Sequence, residues 1–515
     1  MRMIHFSSLD REKLAPSAGA PATKKRKRAT AARAEESGAV ICDDILSNIL
    51  ARLPARSAVA SMALSKHHHA LICSTQFRTL HCRLGAPLPR AHIAFVSTAA
   101  IRRRPEHNPV SGYYGFHVAG AGAAATTSSN EPMRALTGVR YRDTKFVNTC
   151  NGVVLFAGKR FSDQCRCILW NPAVADEPEA VTLPDSSVKG DFLVLALGYG
   201  RRSDTYKILL CRKEATRRSH FPGGGMCCGY GKCLVKYRLL SYDLGNGKTE
   251  LLSTVMTMAL KEETKERSLY MDGTIYLLLE KSAILAFDVD DETVATIDLP
   301  SKWHYQPDRS WEVAPKLFEV SARSCVVAKH EGRWALWMLT VDHQLEQRCV
   351  IVDGIDRVHR LLHTCPLAGV WDCRDMLVML FENYRLCLYH VPTAKMFVTI
   401  LPYDLVPKGS DYALCLDYIP TLVSPRGITG KLHNQDEELR QDLMVDAVEI
   451  INPVREQERK KGQEATLDTV CFMKFLVSVM RKLPDDVRDV VKMPLLTDLE
   501  DPFFFSERVP ITDSD

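Results

Sequence analysis

Chemistry in this chain would have to begin with its cysteines and histidines. The run FPGGGMCCGYGKC places Cys227, Cys228 and Cys233 among glycines, with Cys165 and Cys167 elsewhere. A zinc centre takes two separated ligand pairs, and no second His or Cys pair lies close by in sequence, so loop thiols are the better reading. His67, His68 and His69 are consecutive. On a helix, neighbours point about 100° apart and cannot converge on one ion, so these side chains are expected to lie partly exposed along a helix. The glycines at 223–225 neither follow a strand of a βαβ unit nor lead to the Lys-Ser/Thr of a phosphate loop. A nucleophile elbow and a zincin pattern are both absent. No catalytic residue, metal ligand or cofactor is therefore assigned, and the expected chemistry is binding.

The stretch best suited to binding runs from Ile41 to Phe77. Ile41, Ile45, Leu46, Ile49, Leu50 and Leu53 recur at helical spacing. Asp43 and Asp44 suit a helix start, and Pro54 is predicted to stop the helix. Ser57 is predicted to cap a second helix carrying Val59, Met62 and Leu64, and a third turn passes through Ala70, Leu71 and Ile72. Three short helices cannot bury all of their own apolar surface. The unit should keep an exposed apolar groove or ridge for another helical protein.

In order and spacing this stretch resembles an F-box. The match is carried by Asp43-Asp44-Ile45-Leu46, Ile49-Leu50, Arg52-Leu53-Pro54, Arg56-Ser57, Leu64-Ser65-Lys66, Ala70-Leu71-Ile72 and Phe77. Cys42 stands where the family usually has its first Pro, and His68 where it usually has Trp. Both departures bear on adaptor affinity. The resemblance implies a Skp-family adaptor as partner, reached through Ile45, Leu46, Ile49, Leu53, Pro54, Leu64 and His68, and through that adaptor a cullin and its RING subunit.

The remaining elements must hold and orient this unit. With 515 residues, 46% hydrophobic and 25% charged, the chain is long enough for two or three globular domains. No apolar run is long enough to span a bilayer, and the N-terminus has no apolar signal core, so a membrane is not expected as a partner. The 17 cysteines form an odd set with no secreted framework, which points to a reducing compartment and mostly free, buried thiols. A net charge of +5 is mild and does not argue for nucleic acid as a partner. Residues 1–38 form a polar basic leader that should be disordered. Within it Lys24, Lys25, Arg26, Lys27 and Arg28 read as a nuclear import signal or a polyanion patch, the alternative being a solvated tail. The expected F-box covers 39–84, and 85–142 is read as a connector with a Gly/Ala-rich loop.

Residues 143–428 carry a quasi-repeat. Asn151-Gly152 leads into VVLFAG, Asp272-Gly273 into TIYLLLE, and a third unit starts at MLVMLFE. Each is a turn, an apolar strand, a polar hairpin and further strands, as a β-propeller produces. LALGYGRRSDTYKILLC and LFEVSARSCVVA lie between them, and the chain lacks kelch glycine doublets and WD dipeptides. The number of blades and the closure of the ring stay open at this level, while Trp170 and Phe287 are predicted to be buried between blades. NGVVLF, LWNP, LGYGRRSDTYKIL, DGTIYLLLE and YIPTLVSP resemble the F-box-associated domain of the large plant F-box family. Residues 429–515 are expected to form a helical tail. Pro453 should break a first helix, Thr466 should cap a second, and the tail should pack onto the parent domain.

The expected fold is thus α+β and multidomain, with a small all-α unit, an all-β propeller-like repeat domain and a helical C-terminal tail. What the resemblance implies is a non-catalytic substrate receptor of an SCF-type ubiquitin ligase, in nucleus and cytoplasm, whose β domain holds a target protein. The alternative is a nuclear nucleic-acid-binding or scaffold protein without ligase function.

Overall fold

The computed structural model describes residues 42–85, 88, 91–99, 112–121, 134–138, 141, 144–159, 165–174, 178–183, 192–213, 234–259, 268–279, 283–299, 315–320, 323–330, 333–340, 342–351, 367–407, 409–416, 418–430 and 456–483. The basic leader, Cys227, Cys228, Cys233 and Pro453 lie outside these residues.

The N-terminal unit contains four helices rather than three: α1 (Asp43–Leu50), α2 (Ala55–Ser61), α3 (Lys66–Cys73) and α4 (Thr75–Leu84). Asp43 and Asp44 occupy the first turn of α1, where carboxylates offset the helix dipole. After Leu50 the chain tightens through Arg52 N–H to Ile49 carbonyl (3.2 Å) and Leu53 N–H to Leu50 carbonyl (3.1 Å). Pro54 then caps α2 instead of merely ending α1. Ser57 is not the cap: it lies inside α2, its N–H donating to the Pro54 carbonyl at 2.8 Å. Ser65 and Ser74 cap α3 and α4, accepting from His68 N–H (3.1 Å) and Phe77 N–H (3.2 Å). Leu50, Ala51, Ala55, Ala58, Ile72 and Phe77 form the small core, where the alanines let the helices approach closely.

The β domain is a propeller of six four-stranded antiparallel blades. The first blade holds β1 (Ile93–Ala99), β2 (Tyr113–Ala119) and β3 (Arg134–Thr137). The second holds β4 (Thr144–Cys150), β5 (Val153–Lys159), β6 (Cys165–Trp170) and β7 (Glu179–Thr182), and the third β8 (Phe192–Gly200), β9 (Thr205–Lys213), β10 (Leu234–Asp243) and β11 (Thr249–Ala259). The fourth is β12 (Leu269–Met271), β13 (Thr274–Leu279), β14 (Ala283–Asp288) and β15 (Val294–Asp298). The fifth is β16 (Lys316–Val320), β17 (Arg323–His330), β18 (Arg333–Leu339) and β19 (Leu345–Ile351). The sixth is β20 (Leu367–Cys373), β21 (Met376–Phe381), β22 (Arg385–His390) and β23 (Lys395–Ile400). The first strands of blades 2 to 6 touch in succession around the axis.

Closure comes from the far end of the chain. β24 (Ser410–Leu414) pairs antiparallel with β1, Phe95 opposite Leu414 and Ala99 opposite Ser410, and supplies the inner strand of blade 1. Residues 85–142, expected as a connector, therefore carry three strands of the ring. Side chains alternate across each strand, so every blade feeds two cores. Ala94 and Val96 of β1 pack towards blade 2, while Ile93 and Phe95 pack towards blade 6. Trp170 and Phe287 are buried in the blade 1–2 core and the core of blades 2 to 4.

Beyond β24 come α5 (Pro425–Thr429) and α6 (Glu456–Lys482). The tail helix is one 27-residue helix with Thr466 in its interior, not a helix starting at Thr466. The Thr466 hydroxyl donates to the Gly462 carbonyl (2.9 Å) and accepts from the Ser97 hydroxyl (2.8 Å). Phe472, Met473, Leu476 and Val477 fill the seam between blades 6 and 1. A Cβ on Gly115 would come within 2.4 Å of the Thr466 hydroxyl oxygen, so glycine there lets helix and strand touch. Among the described residues no helix is long and apolar enough to cross a membrane.

Candidate binding surface on the helical unit

On α1 the side chains at 46 and 50 turn towards the core, joined by Leu53 in the turn that follows, and the row one step of about 100° away is left outside. Ile45 and Ile49 are 55% and 51% exposed, and Leu64, in the turn before α3, is 70% exposed. Val59 on α2 adds to the exposed apolar set, because Ala55 and Ala58 take the inward face of that helix. Sequence pattern had placed Val59 on α2 without marking it as surface. Its signal was the small residues at the inward positions.

The seven sequence-predicted residues divide into three groups. Ile45, Ile49, Leu64 and Pro54 are exposed. Leu46 and Leu53 are half-buried and pack against the small core. His68 is half-buried, its Nδ1 2.7 Å from the Ser65 hydroxyl. His67 Nε2 lies 2.9 Å from Asp43 Oδ1 and ties α3 to α1. His67 and His69 are exposed helix residues. Behind this surface His81 is buried on α4, its Nε2 3.0 Å from the Leu53 carbonyl at the α1–α2 turn. Burial lowers its pKa against the opposing effect of that hydrogen bond, so the ring is neutral at pH 7 and donates from Nε2. The surface can exclude water against another apolar surface.

The helical unit rests on the propeller. Leu422 and Val174 of the β domain join its core. They come from a strap, residues 418–430, and from the β6–β7 connection. Leu416, just past β24, packs against the cores of blades 4–5, 5–6 and 6–1, so the chain crosses the ring near its axis. Tyr418 then enters the blade 1–2 core, and the Thr421 hydroxyl donates to the Asn151 carbonyl. Ile428 of α5 reaches the core of blades 2 to 4. On the same side Arg83 of α4 reaches the Tyr199 hydroxyl, which donates to Asp204. This propeller face carries the β4–β5, β6–β7 and β8–β9 turns. The strand ends flanking 100–111, 214–233, 300–314 and 352–366 are at the opposite face.

Among the described residues several thiols elsewhere are held in their neutral form. Burial raises the thiol pKa of Cys82 to about 11 and that of Cys211 to about 12, so neither is a thiolate at neutral pH. Cys150, Cys167, Cys325, Cys387 and Cys415 are likewise buried and take part in no disulfide. Among the described residues no group of three or more His, Cys, Asp or Glu side chains is placed to hold a metal. A cleft of about 470 Å³ between blades 3 and 4 is lined by Lys207, Asp243, Lys248, Glu250, Asp290 and Glu292. There Lys207 Nζ lies 2.6 Å from Glu292 Oε1, and the Ser241 hydroxyl donates to the same oxygen at 3.0 Å. Burial pushes the Glu292 carboxyl up, but its hydrogen bonds and the Lys207 charge outweigh this and leave it low. Its hydrogen bond and negative charge push Glu250 up. An interblade ion-pair network accounts for this arrangement.

No protein-family model matches the chain, and no curated protein matches it in sequence. Solved structures of similar shape include an oligogalacturonate lyase in complex with manganese, 8% identical, with a TM-score of 0.34 over 62% of this chain and 82% of that one. A DUF4784 family protein from Bacteroides caccae is 11% identical, with a TM-score of 0.30 over 64% and 76%. BamB from Moraxella catarrhalis is 10% identical, with a TM-score of 0.27 over 59% and 91%. At these scores the likenesses do not bear on function. The protein is a six-bladed β-propeller with accessory helices, a fold that suits protein binding.

Proposed function

We propose that this protein is the substrate-recognition subunit of an SCF-type ubiquitin ligase, its helical unit belonging to the F-box family. The helical unit takes a Skp-family adaptor, which links it to a cullin and RING subunit, and the propeller takes a target protein. The observation that carries this reading is the exposed pair Ile45 and Ile49 on one side of α1, with Leu64 exposed before α3, on a four-helix unit whose own core is already closed by Leu422. Apolar side chains left in water on a docked unit are what a helical partner would cover. The helical unit and strap occupy one propeller face, so the target is expected at the opposite one. Such a receptor breaks no covalent bond itself, and it raises the local concentration of target lysines near a charged conjugating enzyme. The basic run from Lys24 to Arg28 would bring the protein to the nucleus, with a cytoplasmic pool remaining.

The test is titration of the purified full-length chain with a Skp-family adaptor, followed by reconstitution with cullin and RING subunits. A stable complex that becomes ubiquitinated or passes ubiquitin to a co-purifying protein is expected. Absence of any complex would overturn the ligase reading and leave the nuclear scaffold alternative ahead.

A further inference from the structure

Asn171 does something that no binding surface accounts for. It follows Trp170 at the end of β6, its side chain is 0% exposed, and every polar atom of that side chain is committed. Nδ2 donates to the Thr421 carbonyl at 3.0 Å and to the Val423 carbonyl at 2.8 Å. Oδ1 accepts from the Ala173 N–H at 3.0 Å. The two acceptors bracket Leu422, which is 2% exposed and inserts into the core of the helical unit. The third bond shapes the turn that delivers Val174 to the same core, helped by the Val174 N–H to Asn171 carbonyl contact at 3.3 Å. One amide thus organises the two propeller residues, Leu422 and Val174, that join the core of the helical unit.

The neighbouring residues anchor this amide in the ring. Trp170 is buried between blades 1 and 2, with its ring 5.9 Å from that of Phe116 and 6.4 Å from that of Phe156. Across from it, the Ile419 carbonyl sits so close over the β4–β5 turn that a Cβ on Gly152 would come within 2.6 Å of it. A carboxylate or an aliphatic side chain at 171 would leave two strap carbonyls, one buried and one partly buried, without the donor that an amide of this length supplies.

We propose that Asn171 is a positioning residue: it clamps the strap so that Leu422 and Val174 dock the helical unit on blade 2 in one orientation. Ile45, Ile49 and Leu64 then keep a fixed direction relative to the propeller, and a partner on them is held at one separation from cargo on the ring. That they bind an adaptor rests on the proposed function; the clamp itself does not.

Hydrogen exchange on the full-length chain tests the clamp directly, with Asn171→Ala, Leu422→Ala and the double variant. Amides of α1 to α4 are expected to lose about tenfold or more of their protection in each single variant, while those of blades 4 and 5 keep theirs. Because both residues act through one contact, the double variant should lose no more than the greater single loss. Unchanged protection of α1 to α4 in Leu422→Ala overturns the proposal, and so do losses that multiply in the double variant. Should Asn171→Ala fail to fold, Asn171→Ser takes its place, and a loss spread equally over all blades would mark Asn171 as a general core residue and also overturn the proposal. Adaptor titration of the same proteins separates the two readings. If the parent binds no adaptor while the exchange pattern is as expected, the ligase reading fails and the clamp stands.

Discussion

Replacing Ile49 and Leu64 together by alanine separates binding from folding more cleanly than any change at Leu53, which is half-buried in the unit's own core. Leu64 is 70% exposed and Ile49 51%. Full burial of such a side chain is worth about 1.5–3 kcal/mol, so a partner that covers the exposed part recovers roughly 1–2 kcal/mol at Leu64 and about 1 kcal/mol at Ile49. Truncating both should therefore weaken adaptor binding by about 2–3 kcal/mol, or roughly thirty- to 150-fold. The same pair contributes little to the small core, so the melting curve should move by no more than about 0.5 kcal/mol equivalent. Isothermal titration of the full-length protein with adaptor, alongside thermal melting, reads both quantities. Unchanged affinity would show that these residues are not the contact surface. A large drop in melting temperature would show that they are not free in the folded protein.

Four further outcomes are expected. Trp170→Ala removes the indole that Phe116 and Phe156 pack on and should cost about 3–5 kcal/mol, read as a fall in denaturation midpoint. Burial, helped by the Lys474 charge, lowers the pKa of His117 to about 4 from an unfolded value near 6.5. The unfolded chain then binds the proton first, so stability should decline as pH falls from about 6.5 towards 4, by an amount on the order of 3 kcal/mol that His117→Gln removes; urea midpoints across that range for both proteins check it. Truncation after residue 455 deletes α6 and should expose the seam between blades 6 and 1, seen as dye binding and selective exchange at β1, β2, β21 and β22. Alanine in place of Lys24 to Arg28 should move a fluorescently tagged protein towards the cytoplasm, as imaging would show.

Strands from five of the blades are legible in the sequence, though not the blade count, because each of these blades holds its four strands in one continuous stretch. Asn151-Gly152 and Asp272-Gly273 both take positive φ (48° and 76°, 50° and 91°), which the two-residue turns between β4 and β5 and between β12 and β13 require. Blade 1 is not legible in this way. Its inner strand, SDYAL, is separated from β1 by the rest of the ring, and pairing between distant segments leaves no local period. IAFVSTA and YYGFHVA are buried on both faces, so the alternation that marks a half-buried strand is missing. Thr466 looks like a cap because it precedes an apolar run. In the folded chain the helix continues upstream of it through Glu456 to Glu464, with Gly462 buried against Tyr113, and its hydroxyl bonds back to the helix and across to Ser97. On the helical unit, spacing separates Ile45 and Ile49 from the core row at Leu46 and Leu50. It says nothing of Leu422, which completes that core from the other end of the chain.

That last contact joins two questions that the sequence keeps apart. β24 closes the ring, and within eight residues of its end the same segment supplies Leu422 to the helical unit. Ring closure and docking of the helical unit therefore share one stretch of backbone, held by Asn171 at one point and by Thr421 at the next. The helical unit cut away at Leu84 would lose a core residue it cannot replace from its own sequence, and its short helices, of 8, 7, 8 and 10 residues, would have little else to bury. A chain cut before residue 410 would lose the inner strand of blade 1 and the strap together. Damage to the ring seam should accordingly register at α1 to α4 although no helix there touches the seam, since Leu416 to Leu422 is the continuous physical link between them.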